Sequence, residues 1–230
     1  IEPRSLAEDG AFAAVLSKSR NVILGEAVRA RDLTNSGGPD VLPAEHRLAK
    51  AIKPIDAFAQ GAVATAPFVV PRLPVRVNRY WTFQPSLGHV PTSPVVAFQL
   101  FTLPLYADFR RLLQEASPVA AEKLPEDARR VIQTKGASRF IKDIRDTVPD
   151  DPLILTRIIE ALERSNPVTT DFPRYRKLKA LAELYYGEGH RYLNFYGPPR
   201  TIRTIPFHRA LMTGEGTPGA PQDFSGKVVF

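Results

Sequence analysis

The chain has 230 residues, of which 43% are hydrophobic and 24% charged, enough for one large or two small globular domains with a buried core. Cysteine is absent, which excludes a disulfide framework, a thiol nucleophile and cysteine-based zinc sites. A net charge of +7 and a pI near 9.8 leave nucleic acid, anionic lipid or simple solubility as readings of the basic balance, and no apolar run approaches the roughly 18–20 residues that cross a bilayer.

The opening IEPRSLAEDG lacks the basic start and apolar stretch of a signal peptide. There is no initiator Met, and Met212 is the sole methionine, so the chain reads as a piece of a longer polypeptide. Residues 6–19 are predicted to be helical: Phe12, Val15, Leu16 and Ser19 recur at helical spacing, with Glu8 and Asp9 in the first turn, where the helix dipole favours acids. Asn21 breaks the run, and Val22, Ile23 and Leu24 open a continuous apolar strand of the kind a two-sided sheet buries. A helix running tightly into a strand is the second half of a βαβ unit. Residues 31–46 form a polar loop around SGGPD. Two strands are expected at about 62–70 and 75–83, joined as a hairpin through PRLP. Prolines 67, 71 and 74 place part of that hairpin at a sheet edge.

Thr92 or Ser93 is placed to cap a helix that has Pro94 at its start. From 102 to 190 strand patterns give way to five helical ones: PLYADFRRLLQEA, PEDARRVIQ, SRFIKDIRD, DPLILTRIIEALER and PRYRKLKALAELYY. Asp151 before Pro152 is a helix start, with Leu155, Ile158, Ile159 and Leu162 as its apolar stripe. The densest basic cluster, RYRKLK at 174–179, shares a helix with the stripe Tyr175, Leu178, Leu181 and Tyr185, so its charges read as a solvated face. With no aromatic RNA-binding motif, zinc finger or helix-turn-helix pattern, nucleic acid is not expected as a partner. The sheet pattern returns in RYLNFY at 191–196, followed by a Pro-rich turn, a helix start at FHRAL and a last strand, GKVVF. The fold class that follows is α/β, a mixed and mostly parallel sheet with flanking helices and an inserted all-helical subdomain over about 102–190.

Histidines 46, 89, 190 and 208 show no ligand spacing, and no phosphate loop, dinucleotide fingerprint or nucleophile elbow is present, so no catalytic residue, metal or cofactor is assigned. By location the best ligand-binding candidates are Tyr192, Asn194, Tyr196 and Gly197. Ligands in open α/β sheets sit beyond the carboxyl ends of strands, and a glycine there lets a ligand approach. Arg76 and Arg79 join them as anion contacts. The competing reading makes the strand-end residues local fasteners and the arginines guards of an edge strand.

RYLNFYGPPRTIRTIPFHRAL and the closing FSGKVVF resemble the C-terminal part of the CHASE2 domain, an extracytoplasmic sensory module of bacterial signalling proteins. The match rests on Asn194, Phe195, Tyr196, Gly197, Pro198, Thr204, Ile205, Pro206, Leu211, Gly226, Lys227, Val228, Val229 and Phe230. EDGAFAAVLSKSRNVILGEAV resembles the family's helix–strand step, and SPVVAFQLF one of its helices. The resemblance covers residues 1–101 and the C-terminal end, but not most of 102–190. The family's opening strands are missing, and the helical insertion is longer than the family pattern. Taken over 1–230, the resemblance implies a non-catalytic sensor domain outside the inner membrane, in the periplasm. It also implies flanking transmembrane helices beyond this chain, a homodimer, a small-molecule or protein signal, and an intracellular output, a class III adenylate or guanylate cyclase or else a sensor kinase. Two other readings stay open: a protein-interaction or dimerisation module without a small ligand, and a periplasmic α/β hydrolase.

Overall fold

A computed structural model describes residues 6–30, 49–68, 79–148, 151–165, 171–187 and 189–192. The loop at 31–46, the PRLP connection and everything after Tyr192, including the NFYGPP block and GKVVF, lie outside the described residues. The architecture is mixed α/β, dominated by helices, with small sheets. No helix among the described residues is long and apolar enough to cross a membrane.

Helix α1 (Leu6–Ser19) forms where the spacing places it. Of its expected stripe Leu16 is buried, whereas Phe12 and Val15 are 45% and 61% exposed, because among the described residues the one element α1 packs on closely is the short α2 (Asp56–Gly61). Phe12 meets Phe58 of α2 edge-on, with ring centroids 5.0 Å apart. Gly61 permits this contact: a Cβ there would lie 3.0 Å from the Ala13 carbonyl and the Leu16 Cβ. The helix ends one residue before Asn21, at Arg20, which takes the left-handed conformation (φ 48°) as its N–H bonds to the Leu16 carbonyl.

Strand β1 (Ile23–Ala30) is central in a three-stranded sheet with β2 (Ala49–Ile52) antiparallel on one side and β3 (Ala64–Pro67) parallel on the other. Its side chains alternate between half-buried and exposed rather than being buried on both faces. The expected hairpin is not what the described residues form. Strand β3 pairs with β1, whereas β4 (Arg79–Trp81) pairs antiparallel with β7 (His190–Tyr192), in a separate ribbon. A third pair joins β5 (Phe83–Gln84) to β6 (Val90–Pro91) through the left-handed residues Gly88 and His89. Among the described residues one strand pairing is thus parallel and three antiparallel, which differs from a mostly parallel sheet. Proline at strand ends and very short strands keep each ladder local.

Helix α3 (Ser93–Thr102) follows Thr92, but neither predicted cap acts as one. The Thr92 hydroxyl donates instead to the carbonyls of Trp81 (2.8 Å) and Thr82 (3.0 Å), and Ser93 donates to that of Ala66 (2.9 Å). Both side chains tie the helix start to strands. Helices α4 (Tyr106–Ala116), α5 (Pro118–Glu122), α6 (Ala128–Lys135), α7 (Ala137–Thr147), α8 (Pro152–Ser165) and α9 (Phe172–Tyr186) then build the helical layer. Asp127, Asp151 and Asp171 each accept a first-turn amide at 3.0–3.1 Å, opening α6, α8 and α9 in turn. The stripe of α9 is fully inside, and α8 buries Ile154, Ile158, Ala161 and Leu162, with Leu155 and Ile159 at its margin. One continuous core runs from Ala64 and Ala66 of β3 through Phe83 and α3 into all six later helices. Each fully buried Leu or Ile in it contributes about 1.5–3 kcal/mol.

Candidate functional site

Of the strand-end residues chosen from sequence, Tyr192 is described, and it lies on the β4–β7 ribbon. Its register sets Arg79 opposite Tyr192, Tyr80 opposite Arg191 and Trp81 opposite His190. Two sequence-predicted site residues, Arg79 and Tyr192, are therefore cross-strand partners. The ribbon is fastened at Thr82, whose N–H (3.0 Å) and hydroxyl (2.9 Å) both donate to the Gly189 carbonyl. Arg191 donates to the Glu183 carbonyl at 2.6 Å, and its guanidinium lies against Gly187, where a Cβ would collide with it. Burial pushes the Tyr80 hydroxyl above the ordinary tyrosine value, against the opposing pull of Arg191. Trp81, His190 and Tyr192 form an edge-to-face ladder, with Tyr192 70% exposed at its end. Between this ribbon and helices α3 and α9 is a cavity of about 330 Å³ floored by Val95, Phe98 and Leu184. Arg76, Asn194, Tyr196, Gly197 and the Arg79 side chain lie outside the described residues.

A larger groove, about 630 Å³, lies away from the described residues chosen from sequence. One wall is the α/β part: Glu26 of β1, Lys53, the start of α2 at Asp56, and Thr65 of β3. The other is the β5–β6 turn and the junction of α6 with α7, Lys135 to Arg139. The floor is made of small side chains, among them Ala51, Ala59, Ala62, Ala64 and Ala137, which is why the space stays open. One hydrogen bond runs from wall to wall, and a second lies within the α/β wall. Ser138 donates to the Thr65 carbonyl (2.9 Å), and the Thr65 hydroxyl donates to the Glu26 carboxylate (2.5 Å).

The charges around this groove have both signs. Arg139 is held by Asp143 at 2.8 Å, whereas Lys53, Lys135 and Asp56 form no ion pair among the described residues. Helix α7 starts behind Gly136 (φ 85°), which has no side chain to cap it, so its first amides have no intrahelical partner. Among the described residues no group of three or more His, Asp or Glu is placed to hold a metal ion. The arrangement suits reversible binding of a small polar molecule, in the size range typical of ligand clefts.

Sequence reasoning applied the carboxyl-end rule to the strand at 191–196. The described parallel pair is β1 with β3, and β3 lines the larger groove along its length, through Ala64, Thr65 and Pro67, rather than at its carboxyl end alone. The one local signal was TKGASR at 134–139, a glycine joining two helices beside a lysine. Searches of protein-family models, curated proteins and solved structures find no match for this chain.

Proposed function

We propose that this chain is the sensor domain of a membrane-bound bacterial signalling protein, carried outside the cytoplasmic membrane and regulating an intracellular output, a cyclase or a kinase. The resemblance of NFYGPP and GKVVF to CHASE2 supports this reading. The observation that carries the sensing role is the larger groove, which has the α/β part on one side and the α6–α7 junction on the other. A ligand seated there contacts both bodies. By preferring one spacing of the two walls it shifts an equilibrium between conformations, which affinity alone does not do.

In this reading the helical run is an insertion into an α/β frame whose remaining strands make the sheet mostly parallel. The β4–β7 ribbon supports it: the strand before the helices pairs with the strand after them, so the run starts and finishes at one place. Transmembrane helices outside this chain and a homodimer belong to the same reading.

Alkaline phosphatase fused at these residues in the full-length protein is expected to be active, and activity confined to cytoplasmic reporters overturns the location. The cysteine-free chain also allows a direct measurement of the groove. Spin labels at Ala57→Cys on α2 and Gln133→Cys on α6, exposed positions behind the two walls, are expected to change spacing when a low-molecular-weight cell extract is added. An unchanged distance distribution counts against the sensing role.

A further inference from the structure

Resting on that reading, we infer that the larger groove takes a small zwitterion of the amino-acid type, with a carboxylate at one end and an ammonium group at the other. The inference comes from the way the charges are distributed. Lys53, Lys135 and Arg139 line the same space as Glu26 and Asp56, yet no ion pair joins the two sets among the described residues. Lys53 and Asp56 are only three positions apart and still do not pair. A ligand carrying only negative charge meets Glu26 and Asp56 as like charges. One carrying only positive charge meets three cations. A ligand with both signs is repelled by neither set, and like-charge juxtaposition is how such sites reject wrong partners.

The roles divide by residue. Lys53 and Lys135 receive the carboxylate. Glu26 receives the ammonium group: its Oε1 is occupied by the Thr65 hydroxyl, which orients the carboxylate and leaves the second oxygen for the ligand. Asp56 adds negative charge on the same wall. The alanine floor accepts the aliphatic body of the ligand, and the volume holds one small molecule with ordered water.

The test is calorimetric titration of the 230-residue chain with each proteinogenic L-amino acid singly. Succinate and putrescine serve as single-sign probes, and the N-acetyl and methyl-ester forms of the tightest binder each lack one charge. The expected result is saturable binding of at least one amino acid. Either blocked form, Lys135→Met and Glu26→Gln should each weaken it by about tenfold or more. Ala62→Phe, which fills the floor, should abolish binding while the melting temperature stays near that of the parent chain. No binding by any amino acid, or equal binding of succinate or putrescine, overturns the zwitterion. If a single-sign probe binds and changes the wall spacing reported by the labels at 57 and 133, the sensor reading survives and this one fails. If an amino acid binds and the spacing does not move, the zwitterion survives and the sensing role fails.

Discussion

The α/β end and the helical layer of this molecule are built to different densities. The helical layer holds Phe109, Leu112, Leu113, Phe140, Ile141, Ile144, Ile158, Leu162, Leu178, Leu181 and Tyr185, every one essentially sealed from solvent. At the α/β end, Leu16 matches them, while β1 is half-exposed along its length and Phe12 and Val15 of α1 face outward. One side is thus a rigid block and the other a thin wall, and the larger groove lies between them. A binding site with one yielding wall adapts to its guest at low cost, because local opening is cheap where few apolar contacts are lost.

The largest expected effect tests that contrast directly. Phe109→Ala should cost about 3–5 kcal/mol in urea denaturation, whereas Ile23→Ala in β1 should cost about half as much or less. Equal costs would mean that the sheet is as tightly held as the helices. A smaller effect concerns the polar pair inside the block. The Tyr185 hydroxyl donates to the Gln99 Oε1 at 2.6 Å, while the buried Gln99 Nε2 has no partner among the described residues. Tyr185→Phe should therefore cost about 1–3 kcal/mol by stranding the acceptor, and adding Gln99→Leu should recover most of that loss. A double mutant no better than the single would show that the amide is satisfied elsewhere.

Alkali should attack the same block. Burial raises the Tyr185 hydroxyl well above the ordinary value of 10.0, and it also raises those of Tyr106 and Tyr186. A group whose folded pKa is raised contributes its stability in full below the unfolded value and loses it as pH rises past that value. Tyr185 alone should remove about 1.4 kcal/mol for each pH unit above 10. Thermal melts between about pH 8 and about pH 11.5 would read this, and a flat profile would break the claim. The smallest effect lies at the thin wall. Arg20→Gly, which relieves a left-handed non-glycine residue, should stabilise by up to about 1 kcal/mol, seen as a rise in urea midpoint.

The two regions were also unequally legible in the sequence. Helices α7, α8 and α9 were readable because their apolar positions repeat within a few residues, and Asp151 marked its own cap. Helix α5 escaped because five residues beginning at Pro118 carry too little period to be seen. The strands were misjoined for the opposite reason. What β4 pairs with is decided by β7, and Thr82 and Gly189, which clamp the ribbon, are 107 positions apart. No local pattern encodes that register. The candidate site divides along the same line. Arg79 and Tyr192 were each picked out, but not as partners. The larger groove was invisible because its floor is made of alanines, which look like ordinary filler until distant segments are brought together.

Helix α7 spans the gap between these regions. Near its start Ser138 hooks the β3 backbone at the groove. Seven residues on, roughly 10 Å along the axis, Arg145 donates to the Tyr185 carbonyl at 2.9 Å and stacks over the Phe83 ring. Between those points Phe140, Ile141 and Ile144 are buried, so close packing holds the helix as one stiff piece along this stretch. In the proposed sensor, a guest that displaces the groove end of this helix carries the displacement to the close of α9, a few residues ahead of β7.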